Sequence, residues 1–345
     1  MIVGIVKDDI YLEHDTGASH PENADRLYAI YSMLERMDQS GLVYVPARPA
    51  SDEEIALNHA PSYVSMVRET SGKAQRWLDP DTVTSARSFE AASLAAGGFL
   101  ELIDARLSGL IDNGFALVRP PGHHAESHKA MGFCIFNNCA IGARYLQKKH
   151  GFDRIMIVDY DLHHGNGTQH SFYDDPTVLY VSTHQYPYYP GTGGYDEVGV
   201  GEGRGYTVNV PMAYGMTDAD YAHVFTEIVA PLGRAFRPRI VLVSAGFDIH
   251  RDDPLGGMAV TERGFARITG LLMDMAEKVC EGKLVFVLEG GYNTAALARS
   301  VEAVLTELKG ESVRSVDEKD ERPTRAIEEV VLKVKQAIRP YWGDL

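Results

Sequence analysis

Histidine and aspartate residues with metal-ligand spacing are the most reactive feature of this sequence. Seven of the 13 histidines fall between His123 and His170. Asp161 and His163 are two residues apart, so on an extended segment both side chains leave by the same face. They make half of a zinc or iron site, and Asp248 can supply a third ligand that still leaves a position open for water or substrate. For Asp161 and His163 alone, a hydrogen-bonded polar turn is an equal alternative.

The tandem His123-His124 indicates acid–base chemistry. It follows Pro120-Pro121-Gly122, a stiff turn from which adjacent side chains can both reach a water on the metal and a leaving group. A histidine used in this way needs a hydrogen-bonding partner on its other ring nitrogen. Asp159 and Asn166, which bracket the metal-ligand segment, are the candidates. Together these residues predict a catalytic metal site.

Predicted strands end at these polar clusters. Short apolar runs, rich in β-branched residues, predict buried strands of a parallel sheet at 2–6, 115–118, 155–158, 178–181, 240–243 and 284–288. Helices are predicted between them at 85–106, 138–150, 217–236, 262–281 and 294–309. This alternation predicts a single α/β domain, a mostly parallel central sheet with helices on both faces. Five of the strands end in polar clusters, and the carboxyl ends of parallel strands face one ligand-binding crevice.

Composition and charge limit the class of partner. Lys and Arg total 33 against 48 Asp and Glu, a net charge of −15. Such a surface repels phosphate backbones and anionic lipid, so we expect no direct nucleic-acid or membrane partner. Three cysteines cannot make a disulfide framework, and no apolar stretch reaches membrane length. We therefore expect a cytoplasmic protein.

The domain organisation predicted here has three parts. The α/β domain spans 1–310, a charged linker spans 311–322, and an amphipathic helix spans 323–340. We expect this helix to dock on its own domain. A contact in a homo-oligomer is the alternative.

Six motifs, in order, resemble one family. They are Arg119-Pro120-Pro121-Gly122-His123-His124, Gly132-Phe133-Cys134 with Asn137-Asn138, Asp159 to Gly167, Pro190 to Gly193, Ala245-Gly246-Phe247-Asp248 and Glu289-Gly290-Gly291-Tyr292. Together they resemble the histone deacetylase / acetylpolyamine amidohydrolase superfamily over about residues 15–309. Asn166-Gly167 and Ala245 to Asp248 are similar to its class II branch. The resemblance implies the arginase/deacetylase-like α/β fold.

The resemblance implies catalytic roles at matching positions. One Zn²⁺ per chain would be held by Asp161, His163 and Asp248. His124 would be general base and then acid with Asn166 as its partner, and His123 would pair with Asp159. Tyr292 would donate a hydrogen bond to the substrate oxygen. Because Asn166 is an amide where the class I branch has aspartate, His124 should be less basic than in that branch.

Further binding residues are implied by the same resemblance. A structural K⁺ would lie at Asp159 and Ser182. The acyl-lysine tunnel would be lined by four residues, Gly132, Phe133, Tyr189 and Leu255. Leu255 stands where polyamine-preferring relatives carry a glutamate.

The predicted function is zinc-dependent hydrolysis of the acetamide of acetyl-lysine, or of a small acetylated amine, to acetate and free amine. An acetylpolyamine amidohydrolase is the first alternative, and a non-catalytic module that binds acyl-lysine is the second. Ureohydrolases share the fold, but their two-manganese site needs carboxylates at positions that are Gly165 and Gly246 here.

Overall fold

The structure is a computed structural model that describes residues 1–311 and 322–345. The charged linker predicted at 311–322 lies outside the described residues except at its two ends. Eight strands of the described chain form one sheet in which every neighbouring pair is parallel. They are β1 (Val3–Val6), β2 (Leu42–Tyr44), β5 (Asn113–Ala116), β6 (Ile155–Asp159), β7 (Val178–Gln185), β8 (Thr207–Met212), β9 (Ile240–Ala245) and β10 (Leu284–Leu288), in the spatial order β2-β1-β5-β10-β9-β6-β7-β8. A separate antiparallel hairpin pairs β3 (Arg76–Asp79) with β4 (Thr82–Thr84).

Helices cover the sheet. They are α1 (Asp25–Arg36), α2 (Asp52–Ile55), α3 (Pro61–Arg68), α4 (Ser88–Leu107), α5 (Asn138–His150), α6 (Asn166–Ser171), α7 (Asp218–Val224), α8 (Ala230–Phe236), α9 (Glu262–Cys280), α10 (Thr294–Leu308) and α11 (Arg325–Trp342). One group packs α4 against α5, another packs α10 against α1 and α9, and both groups contact the sheet. The central strands are buried along their whole length. The predicted parallel α/β fold is confirmed.

Several elements differ from the prediction. Strands β2 and β8 at the two edges, and helices α1, α2, α3 and α6, were not predicted. The helix predicted at 217–236 is interrupted, because Pro231 has no N–H for a regular helical bond. Around it the Ala230 N–H donates to the Phe225 carbonyl, five residues back. This π turn, Phe225–Val229, joins α7 to α8.

The C-terminal helix α11 packs against strand β8 of its own domain. Its apolar side chains Ile327, Val331, Val334 and Ile338 are buried within the chain. The Trp342 indole N–H donates to the Gly205 carbonyl at 2.7 Å. The helix therefore covers one edge of the sheet. None of the described helices is long and apolar enough to cross a membrane.

Candidate active site

Three neighbouring strands bring the predicted ligands together. In the sheet β6 lies beside β9 and β9 beside β10, so the segments after these strands meet at one edge. Asp161 and His163 follow β6, Asp248 follows β9, and Tyr292 follows β10. This is the convergence predicted from the strand ends.

Asp161, His163 and Asp248 form a compact cluster of metal-ligand atoms. The three ligand atoms all lie within 4.8 Å of one another. His163 Nδ1 lies 3.2 Å from Asp161 Oδ1 and 3.0 Å from Asp248 Oδ2. Tetrahedral zinc with bonds of about 2.0–2.1 Å places its ligand atoms about 3.3 Å apart. The cluster therefore fits a metal ion.

Backbone N–H groups hold both carboxylates of this cluster. The Gly290 N–H donates to Asp161 Oδ2 at 2.8 Å, and the Leu162 N–H donates to Asp248 Oδ1 at 2.9 Å. In each carboxylate the other oxygen therefore faces His163. Burial and the charge of Asp161 raise the pKa of Asp248 above its usual value. A bound cation would relieve this repulsion between two buried carboxylates.

The two tandem histidines have opposite electrostatic surroundings. Burial alone would lower the pKa of His123, but Asp161 and Asp159 outweigh it and raise it to about 10. His123 Nδ1 lies 3.1 Å from Asp159 Oδ2. His124 Nδ1 pairs instead with the neutral Asn166 Oδ1 at 2.8 Å. Burial, with His123 beside it, holds the pKa of His124 well below its usual range, so His124 is the neutral member of the pair.

A narrow cavity of about 120 Å³ leads to these groups. His124, His163 and Tyr292 line it together with all four predicted tunnel residues, Gly132, Phe133, Tyr189 and Leu255. The Tyr189 ring meets the His124 ring edge-on with 5.2 Å between centroids. The hairpin positions one wall, since Asp81 Oδ1 accepts the Gly132 N–H at 3.0 Å and Thr82 Oγ1 accepts the Phe133 N–H at 3.0 Å. Asp81 also lines the cavity.

The predicted potassium residues lie side by side on neighbouring strands. Asp159 of β6 and Ser182 of β7 are partners in the parallel register, and both are fully buried. Asp159 Oδ2 also accepts the Tyr180 hydroxyl at 3.0 Å. Ser182 Oγ lies 2.9 Å from His184 Nδ1.

A second group of potential ligands, His123, Cys134 and Glu289, is less suited to a metal. Glu289 already accepts the Gly122 N–H at 2.6 Å, the His123 N–H at 3.1 Å and the Ser244 hydroxyl at 3.0 Å. Burial, together with Glu289, raises the pKa of the Cys134 thiol well above its usual value. The thiolate is the form that binds metals, so the protonated Cys134 thiol makes this group a poor metal site.

Two residues that hold Tyr292 are not among those predicted from the sequence. The buried Arg26 donates from Nε to the Gly291 carbonyl at 2.7 Å, and its guanidinium lies 5.2 Å from the centre of the Tyr292 ring. Asp253 Oδ2 accepts the Tyr292 N–H at 2.6 Å, while its Oδ1 accepts the Leu255 N–H at 2.9 Å. The sequence signal for Arg26 was the i,i+4 spacing of Glu22 and Arg26, which form a buried ion pair at 3.1 Å in the structure.

Comparison with known proteins places this chain in a family. Residues 20–308 match the family model described as the Histone deacetylase domain. A probable deacetylase of Archaeoglobus fulgidus is 43% identical over 296 residues, which cover 85% of this chain and 82% of that protein. The human polyamine deacetylase HDAC10 is 42% identical over 340 residues, which cover 94% of this chain and 50% of that protein. The crystal structure of the HDA15 HD domain matches with a TM-score of 0.91 at 39% identity, covering 99% of this chain and 95% of that one. The chain therefore belongs to the histone deacetylase family, a family of hydrolytic deacetylases.

Proposed function

We propose that this protein hydrolyses the acetamide of an acetylated lysine side chain, or of a small acetylated amine, with one zinc ion bound by Asp161, His163 and Asp248. The observation that carries the proposal is that His163, His124 and Tyr292 line one narrow cavity. A metal ligand, a buried imidazole and a phenol around one cavity can together support metal-assisted amide hydrolysis. Membership of the histone deacetylase family supports the same reaction.

His124 is the group that moves protons in this proposal. Its Nδ1 is engaged by Asn166, which leaves Nε2 to take a proton from the attacking water. The lowered pKa keeps the imidazole neutral, the form that can accept that proton. The protonated ring then returns the proton to the departing amine. When bound, zinc would supply the positive charge that polarises the amide carbonyl and acidifies the attacking water.

Tyr292 stabilises the negative charge that develops on the substrate oxygen. Burial raises the pKa of its hydroxyl well above the usual value, so the group stays protonated and donates. One such donor contributes about 3 kcal/mol to transition-state stabilisation. Asp253 and Arg26 hold the Tyr292 backbone and ring, so this donor is positioned before substrate binds.

The cavity walls favour a slender aliphatic chain that ends in an acetamide. Phe133 and Tyr189 provide aromatic walls, and Leu255 adds an uncharged contact. An acetylated polyamine carries further ammonium groups. It would gain most from a carboxylate at position 255, where this chain has leucine. These contacts favour acetyl-lysine.

An acetylated polyamine is the second candidate substrate. Asp81 places one carboxylate on the cavity, and a human relative 42% identical to this chain is named a polyamine deacetylase. The net charge of −15 attracts a cationic acetylated polyamine, and it also attracts a lysine-rich protein around a neutral acetyl-lysine side chain. Kinetics must therefore separate the two candidates.

Acetate release from an acetyl-lysine peptide and from N-acetylspermidine, measured side by side, tests the proposal. We expect turnover of both, with a higher kcat/KM for the peptide. His124→Ala and Tyr292→Phe should both be slow. Binding of acetyl-lysine without acetate release would support the non-catalytic module, and urea release from arginine would support a ureohydrolase.

Removal of the metal tests the ligand assignment. A chelator should abolish acetate release, and Zn²⁺ should restore it; Fe²⁺ and Mn²⁺ provide the comparison. Asp248→Asn should bind much less zinc, because it removes a ligand from the cluster. Asp252→Asn is a matched control, because Asp252 lies four residues after Asp248 and its side chain is 49% exposed. Equal zinc content in the two variants would contradict the assignment.

We also propose a structural K⁺ at Asp159 and Ser182. Their positions on β6 and β7 support this proposal, because two buried side chains with oxygen atoms that can bind a cation lie on adjacent strands. The melting temperature should be higher in potassium chloride than in tetramethylammonium chloride of equal ionic strength. Identical melting temperatures would contradict the proposal.

A further inference from the structure

Glu126 is connected to the proposed general base by hydrogen bonds but does not line the acyl cavity. Its Oε1 accepts from Asn166 Nδ2 at 2.5 Å and from His170 Nδ1 at 2.8 Å. Asn166 in turn meets His124 Nδ1 through its Oδ1 at 2.8 Å. A continuous chain of hydrogen bonds therefore runs from His124 to Glu126 through a single amide.

Glu126 can only accept hydrogen bonds, and this sets which group donates in each hydrogen bond between Glu126 and His124. A carboxylate oxygen can only accept, so Asn166 must turn its NH₂ group towards Glu126 and its carbonyl oxygen towards His124. That NH₂ group also lies 3.4 Å from two further acceptors, the His124 carbonyl oxygen and the Met131 sulfur. Because the Asn166 oxygen can only accept, His124 Nδ1 must carry the hydrogen. Nε2 then holds the lone pair that a general base needs.

We propose that Glu126 is a positioning residue that sets the tautomer of His124 through the amide of Asn166, an inference that rests on the proposed deacetylase reaction. An asparagine alone could rotate its amide by 180° and offer a donor to His124, which would favour the unproductive tautomer. Glu126 prevents that rotation. Glu126 also adds a carboxylate to this series of hydrogen bonds. The carboxylate lies one hydrogen bond further from His124 than an aspartate bonded directly to His124 would lie.

The backbone around Glu126 is held by hydrogen bonds that do not involve Asn166 or His124. Its N–H donates to the Lys129 carbonyl at 2.9 Å, and its carbonyl lies 3.0 Å from His59 Nδ1. The side chain is 17% exposed, while that of His170 is 49% exposed. A change of carboxylate to amide at this position should therefore leave the fold intact.

The first test is the kinetics of Glu126→Gln with the acetyl-lysine peptide. Glutamine can donate as well as accept, so the Asn166 amide is free to rotate. We expect kcat to fall about tenfold, as for the loss of one hydrogen bond to a charged group. KM should stay unchanged, because Glu126 does not line the acyl cavity. His170→Gln is the matched control, since it removes the outer partner alone, and its kcat should stay near wild type.

Exchanging the two side chains separates positioning from a structural role. In Glu126→Gln/Asn166→Asp the carboxylate faces His124 directly and the amide lies outside, so the productive tautomer is set again. We expect this double variant to recover most of the lost kcat. A Glu126→Gln enzyme as fast as wild type, or a loss that the exchange does not repair, would overturn the proposal.

The tautomer can also be read without turnover. Two-bond ¹H–¹⁵N NMR spectra of the His124 ring should show Nδ1 protonated in the wild type and a mixture of tautomers in Glu126→Gln. A wild-type ring protonated at Nε2 would overturn the inference. Absence of acetate release from wild-type enzyme would refute the deacetylase function instead, so the two failures are distinguishable.

Discussion

Replacing Gly132 with alanine tests whether His124 must keep its position for catalysis. Gly132 has a φ of +57°, and an added Cβ would lie 2.2 Å from His124 Cδ2 and 2.6 Å from its Cγ. Carbon atoms in contact need about 3.5 Å, so the ring must move by about 1 Å. A misplacement of about 1 Å costs on the order of 100-fold in rate. We therefore expect kcat for acetate release to fall about 100-fold.

Gly151→Ala is the control for backbone strain in this experiment. Gly151 ends α5 with a φ of +63°, and an added Cβ there would have no neighbour within 4 Å. Left-handed alanine costs about 1–2 kcal/mol, so urea unfolding should show at least that loss in both variants. Only Gly132→Ala should lose activity. A folded Gly132→Ala enzyme with the kcat of Gly151→Ala would refute the argument that ring position controls the rate.

Three further predictions concern the phenol, the cavity and a buried histidine. Tyr292→Phe removes the donor to the substrate oxygen, so kcat should fall about 100-fold while KM changes little; an unaltered kcat would exclude that role. Leu255→Glu places a carboxylate on the cavity, so the kcat/KM ratio of N-acetylspermidine to acetyl-lysine peptide should rise; an unchanged ratio would show that this position does not select the substrate. Burial lowers the pKa of His59 to about 4. The pKa of His59 in the unfolded chain is about 6.5. Between about pH 6.5 and pH 4, the unfolded chain therefore binds a proton at His59 that the folded chain does not bind. Urea unfolding should therefore show stability falling through this window, less steeply in His59→Gln than in the exposed control His128→Gln.

Buried strands are the part of the fold that the sequence predicts best. Strands β6, β9 and β10 are apolar on both faces, so the continuous runs at 155–158, 240–243 and 284–288 identify them. The polar residues that interrupt each run then mark the edge where the candidate ligands meet. This pattern is why the sequence alone groups Asp161, His163 and Asp248.

Edge strands are harder to predict because they lack that signature. Strand β2 has three residues and is only partly buried, so no long apolar run exists to detect. Strand β8 lies within a segment rich in tyrosine and glycine, 184–215, which the composition assigns to loops. Its place in the sheet depends on pairing with β7 and on cover from α11. Those are tertiary interactions that local composition does not contain.

The residues that hold the site in place are hard to predict from the sequence for a different reason. Arg26 and Asp253 act on the backbone of Gly291, Tyr292 and Leu255, and backbone atoms are the same in every sequence. Glu126 acts through a side-chain amide 40 positions away. Residue types and spacing indicate which groups can do chemistry. Which groups hold them in place depends on contacts that exist only after folding.

The backbone around the ligand cluster also argues for one metal ion rather than two. A second ion bound as in the ureohydrolases would need carboxylates at Gly165 and Gly246. A Cβ at Gly165 would lie 2.3 Å from Asp159 Oδ2, and one at Gly246 would lie 2.2 Å from Asp161 Oδ2. Any side chain there must first displace the carboxylate that pairs with His123 or the one that belongs to the metal cluster. Two metals would therefore require a different backbone path around Asp159 and Asp161, so changing Gly165 and Gly246 alone should not convert this site into that of a ureohydrolase.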